Sequence, residues 1–94
     1  SVTGAGVTGR IDGQFVRDIV QDEMDFAIVK SINEVGHVLG KQTIAECVED
    51  ADIARKLQTI GVDWAQGFHL SQPQMLADWL KRLDIDYEPV AMAE

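Results

Sequence analysis

Ninety-four residues suffice for one small core, and 46% hydrophobic with 26% charged residues is the composition of a folding globular chain rather than a disordered tail or fibrous repeat. Eight Lys and Arg against sixteen Asp and Glu give a net charge of −8, which repels a phosphate backbone over most of the surface and excludes broad binding of DNA or RNA. A few carboxylates gathered around a divalent cation would reverse the local sign, so net charge does not exclude a small phosphate ester.

In chain order, residues 1–9 hold three glycines and no charge, as expected of a linker or an added segment. A short strand is expected near Ile11. The acidic stretch Asp22, Glu23, Met24, Asp25 suits a helix N-terminus. Beyond it, Ile28, Val29, Ile32, Val35, Gly36 and Leu39 recur at intervals of three and four, predicting an amphipathic helix from about Asp25 to Leu39 that Gly40 stops.

Gln42 to Ala45 is short, partly β-branched and lies between two helical patterns, so it reads as a buried strand that delivers Glu46 and Glu49 at its C-terminal end. Asp50 then caps a helix with Ile53, Ala54, Leu57 and Ile60 on one face and Gly61 as its stop. Trp64 to Leu70 reads as a third strand running into a loop. Pro73 suits the start of a last helix carrying Met75, Leu76, Trp79, Leu80 and Leu83. The tail, residues 85–94, reads as irregular.

Strand and helix alternate, which is the pattern of parallel βα units and an α/β fold class. In such units ligands bind at the C-terminal ends of the strands, and that rule picks out Asp12, Glu46, Glu49 and Gln66. Each also has a plainer reading: Glu46 and Glu49 as solvated carboxylates ahead of a helix, Gln66 as a loop residue satisfying backbone groups, and Asp12 as a turn residue beside Gly13.

Three groups of residues, in this order, resemble the later part of the EAL domain family. They are Arg10-Ile11-Asp12 with Phe15-Val16, then Ala45-Glu46-Cys47-Val48-Glu49, then Gln66-Gly67-Phe68 with Ser71 and Pro73. Each is weak alone, and their combination over residues 10 to 80 is specific. The resemblance implies about the last three units of a (β/α)8 TIM-like barrel, possible to complete by oligomerisation. It further implies hydrolysis of cyclic di-GMP to the linear dinucleotide with Mg²⁺ or Mn²⁺.

By position, Glu46 matches a metal-site glutamate that has also been assigned as general base, Gln66 matches a residue ordering the metal-bound water, and Glu49 the second glutamate of the same loop. Asp12 joins Glu49 as an expected substrate-binding residue. Arg10 stands where the family has a lysine that contacts the attacking water, and a planar guanidinium is not equivalent to a compact ammonium. Cys47 stands at a glycine position, Phe68 at a tyrosine and Gln72 at a lysine. The Glu-Ala-Leu motif that names the family and the other metal-ligand motifs precede this segment. The chain alone is therefore expected to be inactive, since hard cations need several oxygen ligands each.

Cys47 is the only cysteine, so no intrachain disulfide forms, which suits a cytoplasmic setting. The apolar runs fall far short of the roughly 20 residues that span a bilayer, so no membrane segment is expected. His37 and His69 with Cys47 match no zinc spacing and read as packing or surface residues. Trp64 and Trp79 read as core fillers, and Cys47 as a small buried one. An opened barrel exposes strand edges, and a homo-oligomer is the expected response.

Overall fold

The computed structural model describes residues 8–67 and 72–87. It begins with strand β1 (Thr8–Ile11), followed by the single-turn helix α1 (Gly13–Val16) and the long helix α2 (Glu23–Val38). Strand β2 (Gln42–Ala45), helix α3 (Ala51–Ile60), the short strands β3 (Trp64–Ala65) and β4 (Gln74–Met75), and helix α4 (Leu76–Tyr87) complete the chain.

The four strands form one sheet in the order β1, β2, β3, β4. The first three are parallel, with Arg10 opposite Ile44, Ile44 opposite Trp64 and Ala45 opposite Ala65. Thr8 and Gly9 pair with Gln42 and Thr43, so the strand begins inside the segment whose glycines read as linker. Gly9 has no side chain to conflict with the ladder, and backbone pairing decides the matter.

Capping sets the helix starts. Asp22 Oδ1 accepts from the amides of Met24 at 2.9 Å and Asp25 at 3.2 Å, and Asp50 Oδ1 accepts from Ile53 N–H at 2.8 Å. Each satisfies donors that the first helical turn leaves without an intrahelical partner, worth about 1 kcal/mol per cap. Gly61 ends α3 at φ 101°, a left-handed conformation that a side chain disfavours.

The core lies between the helices and one sheet face. Ile11, Val29, Ala45, Leu57, Ala65 and Leu76 are almost wholly buried, and Trp79 and Leu80 of α4 close it. Fully burying a Leu or Ile side chain contributes about 1.5–3 kcal/mol, so Ile53 and Leu57, with Ala54 between them, anchor α3 in the core.

Four expectations change in the structure. On α2 the inner face centres on Val29 and Asn33, while Val35, Val38 and Leu39 are 59%, 85% and 65% exposed. Gly36 sits over Thr43 Cγ2, where a Cβ would approach to 2.9 Å, and that close approach turns the helix toward its small and polar residues. Met75 leaves the expected helix for β4, because Gln74 and Met75 pair antiparallel with Ala65 and Trp64 and α4 starts only at Leu76. At the other end α4 continues to Tyr87, past the expected onset of the irregular tail. Of the expected third strand only Trp64–Ala65 is extended in the sheet, and residues 68–71 lie outside the described residues.

Candidate active site

The C-terminal ends of β1, β2 and β3 lie side by side, and backbone bonds continue the ladder past each of them. Glu46 N–H donates to Ile11 O at 3.1 Å and Gln66 N–H to Ala45 O at 2.9 Å, while Val48 N–H donates back to Gln66 O at 2.9 Å. These bonds fix where Glu46 and Gln66 leave the sheet. Arg10 extends from β1 between them, its Nη1 donating to Glu46 Oε2 at 2.9 Å and to Gln66 Oε1 at 3.3 Å.

Glu46 and Gln66, picked out by their positions at strand ends, thus converge with Arg10, which the family resemblance added. With Cys47, Glu49 and Gly67 they line an open cavity of about 490 Å³. The Arg10 and Glu46 side chains are 58% and 36% exposed, so the pair contributes only about 0.2–1 kcal/mol to stability and serves to orient the groups. Glu49 is exposed at the rim, 3.9 Å from Arg17 Nε.

Asp12 behaves differently. Its carboxylate faces its own chain and accepts from Gln14 N–H at 2.8 Å as the N-cap of α1, which is the plainer of its two readings. It does not line the cavity with the other four. His69, Phe68 and Ser71 lie outside the described residues.

The loop after β2 contains features that the sequence motifs did not announce. Cys47 adopts φ 62°, the left-handed region that costs a residue with a Cβ about 1–2 kcal/mol, which accounts physically for glycine being the residue suited to this position. Its half-buried side chain rests on Gly13, where an added Cβ would overlap the Cys47 sulfur, and Arg17 Nη2 lies 3.7 Å from that sulfur. On the other side Gly67 has φ 121°, and a Cβ there would come within 2.8 Å of Val48 N. Gly13 and Gly67 therefore let the Glu46-to-Glu49 loop pass between them. Arg17 was invisible in the sequence because its link to the loop is purely tertiary.

A divalent cation makes demands that can be set against these donors. Magnesium and manganese ask for about six oxygen ligands, whereas here one oxygen of Glu46 already accepts from Arg10, Gln66 supplies a single amide oxygen and Glu49 points toward Arg17. Among the described residues no three His, Cys, Asp or Glu side chains are grouped to hold a metal. This segment by itself does not fit such an ion.

Comparison with known proteins fits this geometry. The sequence profile of the EAL domain matches residues 10–73, more than half of the chain. The chain belongs to the EAL domain family. It is 44% identical to the cyclic di-GMP phosphodiesterase PdeB of Shewanella oneidensis over 75 residues, covering 80% of this chain and 9% of that protein. With the cyclic di-GMP phosphodiesterase PdeF of Escherichia coli it shares 35% identity over 75 residues, 80% of this chain and 10% of that protein. The chain thus spans about a tenth of the length of these relatives.

Among solved structures, an EAL enzyme with cAMP and cyclic di-GMP bound superimposes with a TM-score of 0.65 at 34% identity, over 81% of this chain and 20% of that one. An EAL domain protein of Listeria monocytogenes gives 0.63 at 27% identity, over 83% and 32%. The three parallel strands and their helices are accordingly a piece of a TIM-barrel-like EAL domain.

Proposed function

We propose that this segment supplies the last βα units of a cyclic di-GMP phosphodiesterase barrel and that, by itself, it does not hydrolyse the nucleotide. The observation that carries the reading is the convergence of Arg10, Glu46 and Gln66 at the C-terminal ends of three adjacent parallel strands. Support comes also from relatives that are cyclic di-GMP phosphodiesterases. In the complete domain, Glu46 is the carboxylate this segment contributes to an Mg²⁺ or Mn²⁺ site, Gln66 orients water, and Arg10 stands at the lysine position. Glu49 and Asp12 belong to the substrate side, Asp12 through the loop that its cap shapes. The inactivity of the isolated chain follows from the donor set: one partly engaged carboxylate cannot hold two hard cations.

A second reading has an observation in its favour. Arg10 donates to both Glu46 and Gln66 and so neutralises the carboxylate with a cation that cannot be deprotonated. A domain built this way would bind cyclic di-GMP as a sensor or interaction module without turning it over.

The segment is further proposed to self-associate and to work in the cytoplasm. Among the described residues, the outer edge of β1 has no partner strand, and exposed Met24, Val35, Val38 and Leu39 lie along α2. No helix among the described residues is long and apolar enough to cross a membrane. Sedimentation of the chain should give a dimer or larger species, and a monodisperse monomer would refute self-association.

Calorimetric titration of cyclic di-GMP into the chain with Mg²⁺ present, alongside a hydrolysis assay, separates the readings. No heat and no product is the outcome expected of the isolated segment. Binding without product would favour the sensor; product would overturn the argument from missing ligands.

A further inference from the structure

At the opposite end of the strands from the candidate site lies a polar network. Asn33 and Thr43 are 2% and 1% exposed, which sets them apart from every other described polar residue, and both are bonded. Asn33 Nδ2 donates to Ile60 O at 3.2 Å, which fixes the amide orientation and leaves Oδ1 to accept from Thr43 Oγ1 at 2.6 Å. Asp63, just ahead of β3, closes the network. Its Oδ2 accepts from Thr43 N–H at 2.8 Å and lies 2.7 Å from His37 Nε2, while Asp63 N–H donates to Thr43 Oγ1 at 3.3 Å.

The hydroxyl hydrogen of Thr43 can serve one acceptor, and the 2.6 Å contact to Asn33 outcompetes the 3.2 Å approach of Asp63 Oδ2. With its hydrogen so committed, the hydroxyl accepts from Asp63 N–H. Main chain and side chain of residues 43 and 63 are therefore joined in both directions, and α2, through Asn33 and His37, is joined to both.

Such a lock matters because the β2–β3 ladder is short: Ile44 stands opposite Trp64 and Ala45 opposite Ala65, and beyond them just the Gln66 and Val48 amide bonds continue it. A short ladder has few backbone bonds to resist slippage, and a slip of one residue sends every side chain to the other face. Gln66 follows directly on Ala65, so a slip would take its side chain away from Arg10. We propose that Asp63 is a positioning residue: through Thr43 it fixes the β2–β3 register and thereby sets Gln66 beside Glu46 and Arg10. The inference rests on the reading of Glu46 and Gln66 as site residues, and it assigns Asp63 no contact with substrate.

Amide hydrogen exchange of the full chain by NMR tests it, with the amides of Gln66 and Val48 as site reporters and those of Ala54 and Leu57 in α3 as internal reference. Asp63→Asn and Thr43→Val should each raise exchange at the site reporters about tenfold relative to the reference, as expected of local rather than global opening, while Thr43→Ser stays at the parent ratio. A uniform rise across all four amides, or no change in the ratio, would overturn the proposal. Should Asp63→Asn fail to fold, Thr43→Val, which keeps the side-chain shape, decides alone. The exchange ratio needs no nucleotide, so hydrolysis of cyclic di-GMP by the isolated chain would overturn the proposed function and leave the register lock standing, whereas an unchanged ratio would overturn the lock alone.

Discussion

Replacing Gly13 by alanine and Cys47 by glycine, singly and together, tests how the site loop is packed. A Cβ on Gly13 would overlap the Cys47 sulfur and lie 2.6 Å from its Cβ, and the neighbour cannot yield easily, because the backbone at residue 47 is already held at φ 62°. Overpacking of this kind costs about 1–3 kcal/mol, against which alanine at a helical position recovers about 0.4–1 kcal/mol from the unfolded state. Gly13→Ala should therefore destabilise the chain by about 1–2 kcal/mol, a drop of about 1 M or more in urea midpoint for a slope near 1 kcal/mol per molar. Cys47→Gly relieves about 1–2 kcal/mol of left-handed strain but loses thiol packing and adds unfolded-state freedom worth about 0.5–1 kcal/mol, so alone it is close to neutral. In the Cys47→Gly background the alanine has room and should be neutral to slightly stabilising, leaving a coupling of about 2 kcal/mol between the two sites. Urea unfolding of the four proteins followed by circular dichroism gives that coupling directly. Equal cost of Gly13→Ala in both backgrounds would refute the packing of Cys47 on Gly13.

Other expectations follow from the same geometry. Gly67→Ala places a Cβ 2.8 Å from Val48 N and 3.0 Å from Val48 O at φ 121°, and should cost about 2–4 kcal/mol in urea unfolding; a loss under about 1 kcal/mol would contradict that loop. Asp50→Ala removes the cap on Ile53 N–H and should cost about 1 kcal/mol by the same assay, whereas Asp50→Asn should retain most of it. Asp25 has its carboxyl pushed above the usual value of 3.8 by partial desolvation first and by Asp22 and Asp18 second. The folded state therefore holds that proton more tightly than the unfolded chain does. The carboxyl makes no net contribution well below 3.8 and opposes folding once pH exceeds the raised value, so Asp25→Asn should stabilise the chain at neutral pH relative to its effect near pH 3. A constant effect at both pH values, read from thermal melts, would count against this origin.

Much of this chain was legible in order along the sequence. Asp22 and Asp50 cap helices because a carboxylate ahead of free amides acts locally, and Gly61 ends α3 because the left-handed turn needs no partner elsewhere. The alternation of elements, with the rule that ligands meet the C-terminal ends of parallel strands, was enough to single out Glu46 and Gln66; the family resemblance added Arg10.

Tertiary structure decided what depends on residues far apart in the chain. Asn33 breaks the apolar stripe of α2, yet it is buried because Thr43 and Ile60 O satisfy its amide, while Val35 and Leu39 continue the stripe and face outward. Gln74 and Met75 look helical after Pro73 and become a strand because β3 offers an open edge. Asp12, one of the expected substrate residues, spends its carboxylate on a cap two residues away. The fit of Cys47 over Gly13 and the joining of Asp63 to Thr43 link positions 34 and 20 residues apart, and no periodicity reports such pairs. Short-range hydrogen bonds and turn sterics are written into neighbouring residues, whereas burial and register are settled only when distant segments compete for the same partners.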